Sequence, residues 1–179
     1  MGQIITVSGA LGSGKSTVSH ILVDRLGFIY YSTGIVQRHI AERRGVTTLE
    51  LNRLAATDKS IDRQIDSAFA DLVHTGKNYV VDSRLGFFFI PSSFKVMLKV
   101  DLQAAGARVF HDETRIGEKK YASIDEAVAA LSARRRLERE RFLSVYGVDI
   151  DDESLFDVVV DTTHISPETV ADRILKQLP

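Results

Sequence analysis

The chain contains no cysteine, which excludes disulfides and thiolate-held metals. It has no apolar run near the roughly 18 residues needed to cross a bilayer, so no membrane partner is expected. Its formal net charge is only −1, without the basic excess of a dedicated nucleic-acid binder. The histidines at 20, 39, 74, 111 and 164 form no i, i+4 pair and no metal-ligand spacing. There is no internal repeat, low-complexity tract or linker, and no Asn-Lys-x-Asp guanine-reading motif. Met1 leads almost at once into an apolar strand, so no signal peptide is expected. These features fit the cytoplasm, a monomer is expected, and 179 residues make one domain long enough for a full α/β core.

What is present starts with that strand. Ile4-Ile5-Thr6-Val7 runs into Gly9-Ala10-Leu11-Gly12-Ser13-Gly14-Lys15-Ser16, the pattern G-x-x-x-x-G-K-S, with Thr17 behind it. The glycines let the backbone curl until successive N–H groups face phosphate oxygens, and Lys15 adds a mobile charge for the outer phosphates. The Ser16 hydroxyl is a ligand for Mg²⁺, and the helix that starts there points its positive end at the anion. Val18, Ile21, Leu22 and Leu26 make that helix amphipathic, so the loop has the required strand before it and helix after it. These residues imply a nucleoside triphosphate site.

Apolar β-branched runs recur near residues 3–8, 28–31, 79–82, 95–100 and 157–161. Tyr79-Val80-Val81 and Val158-Val159-Val160 are continuous rather than alternating, as parallel strands buried on both faces require. Helices are expected over 15–26, 34–44, 48–56, 60–75, 102–112, 123–145 and 166–178, the last signalled by the cap Ser166 before Pro167. This alternation predicts an α/β three-layer sandwich on a five-stranded parallel sheet. Residues 34–76 are too long for a simple crossover, and the polar stretch 112–134 reads as a loop or lid.

The ordered set of segments resembles the nucleoside monophosphate kinases of the P-loop class, most closely the short, archaeal-type cytidylate kinases. The resemblance rests on Ile5 to Thr17; Tyr31-Ser32-Thr33-Gly34 with Arg38; and Ile61-Asp62-Arg63. It continues through Asp82-Ser83-Arg84-Leu85-Gly86, the stretch from Arg134 to Asp149, and Phe156 to Thr163. It implies a core of residues 1–33, 77–111 and 147–179, a monophosphate-binding insertion at 34–76, and a lid with its helix at 112–146. It implies ATP with Mg²⁺ as phosphoryl donor and CMP or dCMP as acceptor. Residues 9–17 and Arg115 would hold the donor, and Ser16 and Asp82 the metal. Thr33, Arg38, Arg63, Asp82 and Arg84 would line the acceptor site. Lys15, Arg84, Arg134 and Arg141 would carry the chemistry.

Arg134 and Arg141 lie seven apart, two helical turns, so one cleft can receive both. The same helix also reads as a solvated face, with Glu138 and Glu140 paired back to Arg134 and Arg136. Arg38 and Arg63 admit surface readings too, and Arg108 is expected to flank the donor's base or phosphates. Phe87-Phe88-Phe89 reads as packing, with an aromatic wall against a base or lid as the alternative. The chain departs from the family pattern at Ser83, usually Gly; at Leu85, an aspartate in bacterial-type members; and at Ala68-Phe69, commonly Arg-Gln. The phosphate-handling set is intact and the base-reading set altered. The competing readings are a hydroxyl-acceptor kinase of the shikimate or gluconate type, with Asp82 as base, and a nucleotide-binding switch without transfer activity.

Overall fold

The computed structural model describes residues 2–55, 57–112 and 120–179. Five parallel strands form one sheet in the order β2-β3-β1-β4-β5: β1 (Ile4–Gly9), β2 (Ile29–Ser32), β3 (Tyr79–Asp82), β4 (Phe94–Lys99) and β5 (Val158–Asp161). This is the expected P-loop α/β fold. Between the strands run α1 (Lys15–Leu26), α2 (Thr33–Arg44), α3 (Thr48–Leu54), α4 (Lys59–His74), a short α5 (Gly86–Phe89), α6 (Leu102–His111), α7 (Ile124–Tyr146) and α8 (Pro167–Leu175).

The continuous apolar strands divide their side chains between two layers. On one face, Ile5, Val7, Val80, Val96, Leu98, Val158 and Val160 pack with Val18, Leu22, Val170 and Ile174 of α1 and α8. On the other, Ile4, Tyr79 and Val81 pack with Ile40, Leu51, Ile61 and Phe69 of α2, α3 and α4. Burying each such aliphatic side chain contributes about 1.5–3 kcal/mol. A strand wetted on one side would alternate instead, and this difference is why the pattern announced a parallel sheet.

Helix boundaries follow their caps. Thr47 and Glu50 form a reciprocal capping box at α3, Asp58 caps α4, Asp101 caps α6, Ser123 caps α7 and Ser166 caps α8. α8 stops at Leu175, short of the expected 178. α5 was unforeseen, because Gly-Phe-Phe-Phe carries neither helical periodicity nor a side-chain cap. Within the polar stretch 112–134, helix is already established at Ile124, and residues 113–119 lie outside the described ones. Gly106 is where α6 meets α7: a Cβ there would lie 2.3 Å from Val128 Cγ2, so a larger residue would force Val128 or the helices to shift.

Candidate active site

The carboxyl ends of β1, β2 and β3 and the turn after β5 border a cleft of about 730 Å³, where open α/β sheets bind ligands. The phosphate loop forms one side. Gly9 leaves β1 with φ 144°, and a Cβ there would lie 2.3 Å from the Leu98 carbonyl oxygen, so no other residue fits. α1 then begins with no side-chain cap, which leaves its first N–H groups facing the cleft for an anion. Lys15 Nζ donates to the Ala10 carbonyl at 3.1 Å. Its pKa is lowered to about 8, by burial first and by Arg84 and Arg134 after it, against the opposing pull of Asp82 and Glu138.

Arg108 and Thr162 brace the loop from behind. The Arg108 guanidinium donates to the carbonyls of Gly12 (3.2 Å), Thr162 (2.6 Å) and Thr163 (3.2 Å). The Thr162 hydroxyl lies 3.1 Å from the Ser13 carbonyl and 3.0 Å from that of Lys99. These contacts tie the loop to the end of β4 and the turn after β5.

Asp82 closes β3 in the middle of the cleft and accepts a hydrogen bond from the Tyr30 hydroxyl at 3.2 Å. Desolvation, with Asp82 beside it, pushes that phenol up to about 12, so it stays a donor. The turn that follows is held by Ser83, whose N–H donates to Val7 O and whose carbonyl accepts from Ser8 Oγ. No described non-glycine residue has positive φ, so serine meets this turn without the strain that a glycine would relieve.

Two arginines converge on one buried carboxylate. Arg84 Nη1 lies 2.6 Å from Glu138 Oε1, and Arg134 Nε lies 3.0 Å from the same oxygen. Glu138 remains ionised below its ordinary pKa, because both guanidiniums and Lys15 outweigh its burial. The Arg134–Glu138 pair foreseen in the surface reading of α7 does form, but it faces inward. Glu138 as the junction of two arginines was missed, since nothing local in the sequence connects Arg84 to α7. The outward side of α7 pairs Arg139 with Asp149 at 2.5 Å and Arg135 with Asp151 at 2.9 Å, using the acidic stretch beyond Gly147.

At the other end of the cleft stand Thr33, Gln37 and Arg38 of α2, Asp62 and Phe69 of α4, Phe89 of α5, and Arg141, Phe142 and Tyr146 of α7. Leu11 to Thr17, Thr33, Arg38, Asp82, Arg84, Arg134 and Arg141 therefore all line one cavity, while Gly9 and Ala10 line a small hollow behind it. Arg63 is exposed and is not among the lining residues; its neighbour Asp62 is. Arg115 lies outside the described residues. Phe87 packs on Phe156 in the core, whereas Phe89 faces the cleft, so the aromatic triplet serves both of the roles considered for it.

A family model described as the cytidylate kinase-like family matches residues 4–164. The chain belongs to that family. It is 38% identical to a cytidylate kinase of Sulfolobus acidocaldarius over 96% of this chain and 91% of that one. It is 35% identical to one from Thermoplasma volcanium, over 97% and 90%. Among solved structures, a shikimate kinase from Bacteroides thetaiotaomicron superposes with a TM-score of 0.62 over 97% of each chain, at 13% identity. That likeness shows the shared fold alone. Family membership makes this protein a nucleotide kinase.

Proposed function

We propose that the protein transfers the γ-phosphoryl group of ATP to a nucleoside monophosphate, with CMP and dCMP ahead of UMP and of the purine monophosphates. The observation that carries this reading is the placing of cations along one cleft. Lys15 stands at the phosphate loop, Arg84 and Arg134 at the centre, and Arg38 and Arg141 at the far end. A phosphoryl group passing between two anions needs positive charge on both sides and along its path.

In this mechanism the loop N–H groups and Lys15 hold the donor's outer phosphates, and Thr33, Arg38 and Arg141 hold the acceptor phosphate. An acceptor phosphate oxygen forms the new bond to phosphorus as the bond to the ADP oxygen breaks. That acceptor oxygen is already anionic, so no proton-abstracting base is required. Arg84 and Arg134, fixed by Glu138, face the transferring group with little reorganisation. Ser16 and Asp82 line the cleft together and offer the hard oxygen ligands Mg²⁺ prefers; the rest of its shell would come from phosphates and water. When bound, the metal neutralises charge on the donor phosphates.

The helical segment 34–76 and the lid 112–146 are the parts we expect to close over the two substrates, around the core 1–33, 77–111 and 147–179. Arg115 belongs to this proposal on the resemblance alone, as does Arg63. The test is ATP consumption with a panel of acceptors. Turnover that depends on CMP supports the reading. Turnover with shikimate or gluconate and with no monophosphate would replace it by hydroxyl transfer, with Asp82 as base.

A further inference from the structure

The acceptor end of the cleft is walled by aromatic rings. Phe69 stacks on Phe89 with centroids 5.1 Å apart and planes 10° apart, and Tyr146 meets Phe89 edge-on at 5.4 Å. Phe142 lies 6.3 Å from Tyr146 and carries the Arg141 guanidinium 4.9 Å above its ring. Set into this apolar end is a carboxylate. Asp62 is 7% exposed, yet it lines the cleft. Its Oδ1 faces Arg141 Nη2 at 3.7 Å, too far for a hydrogen bond. Its Oδ2 is buried and has no hydrogen-bond partner among the described residues. Leaving a buried acceptor unpaired is costly, and burial raises the Asp62 pKa against the pull of Arg141. Such an arrangement persists where a ligand supplies the missing donor.

Resting on the monophosphate-kinase reading, we infer that Asp62 reads the exocyclic amino group of the acceptor's base at the end of the cleft that Phe69, Phe89 and Tyr146 line. A ring-lined, largely apolar end of the cleft suits a nucleobase, and a carboxylate accepts a hydrogen bond from the amino group of cytosine. Uracil places a carbonyl oxygen at that position, and two acceptors facing each other repel. The ring wall contributes affinity for any base, and Asp62 contributes the choice between amino and keto forms. Such a choice cannot come from the rings, because every base offers a π-face.

The experiment compares wild type with Asp62→Asn and Phe89→Leu, using CMP and UMP as acceptors and calorimetric binding of each without ATP. Asn keeps the volume and removes a buried charge, so the variant is expected to fold; circular dichroism and a melting curve check this. Wild type should favour CMP over UMP in kcat/KM by on the order of ten- to a hundredfold, the range of one charge-assisted hydrogen bond. Asp62→Asn should bring that ratio close to one, chiefly by raising KM for CMP. Phe89→Leu should weaken both acceptors and keep the ratio. An unchanged ratio in Asp62→Asn overturns the inference. So does an equal fall in kcat for both acceptors at constant KM, which would make Asp62 a support for Arg141 only. If wild type phosphorylates no monophosphate, the kinase reading fails separately. Binding then still decides: a CMP preference lost in Asp62→Asn supports base reading, and the absence of any preference refutes it.

Discussion

The two ends of the cleft are built in opposite ways. At the phosphate loop nearly every contact is a side chain donating to a backbone carbonyl: Lys15 on Ala10 O, Arg108 on Gly12, Thr162 and Thr163 carbonyls, Thr162 on Ser13 O. At the acceptor end the contacts are between side chains from α2, α4, α5 and α7: stacked rings, a 3.7 Å ion pair and an unpartnered carboxylate oxygen. In the proposed function the first end binds what every donor shares, a chain of phosphates. The second would tell one base from another, and side chains are what vary. A site made of backbone is rigid and general, and a site made of side chains is selective and adjustable.

The largest expected break in this comparison is Lys15→Ala. Removing one cation from a preorganised phosphate site should lower kcat by about 10²–10³ or more, measured at saturating substrates, with secondary structure unchanged. Near-wild-type turnover would mean the loop does not hold the reacting phosphate.

Glu138→Ala acts at the junction of the two ends. It leaves Arg84 and Arg134 without their shared carboxylate, and breaking a buried pair of this kind costs about 3–5 kcal/mol. Denaturant midpoints should fall accordingly, and Glu138→Gln, which keeps the hydrogen-bond acceptor, should recover part of the loss. An unchanged midpoint for Glu138→Ala would show that the two arginines need no anchor.

A smaller effect concerns pH. Lys15 in the free protein has its pKa lowered to about 8 by burial, so its charge fades as pH rises through that value. kcat/KM for ATP should therefore be level below pH 8 and fall above it. The folded pKa lies below the unfolded value of 10.5, so at neutral pH burial of the ammonium costs stability. That cost is relieved between pH 8 and 10.5, and Lys15→Met should abolish this component of the pH-dependence of melting. A kcat/KM for ATP that stays level up to pH 10 would contradict the burial-driven shift.

The smallest effect is in motion. A bisubstrate analogue should slow amide exchange across 34–76 and 112–134 more than across the phosphate loop, which is already braced. Equal protection at both ends would erase the contrast between them.

Legibility followed the same division. The phosphate loop was readable residue by residue, because backbone chemistry is written in contiguous glycines and the lysine after them. The parallel sheet was readable from Tyr79-Val80-Val81 and Val158-Val159-Val160, because burial on both faces removes alternation. The acceptor end was readable as Thr33, Asp82 and a set of arginines, not as a base-reading surface. Arg38, Arg84, Arg134 and Arg141 do converge on one cleft, but Arg63 is turned away and the adjacent Asp62 enters in its place. The link from Glu138 to Arg84, and Tyr30 with its partner Asp82, escaped notice because the partners lie 54 and 52 residues apart along the chain. Phe89 escaped because a triplet of identical rings gives no sign of which one faces a ligand.

The central claim is that one cleft passes a phosphoryl group between two nucleotides. It is tested most directly by incubating the protein with γ-labelled ATP, Mg²⁺ and CMP and identifying where the label goes. The account predicts labelled CDP, formed only when CMP is present and lost in Lys15→Ala. Label released as inorganic phosphate at the same slow rate with or without CMP would contradict it.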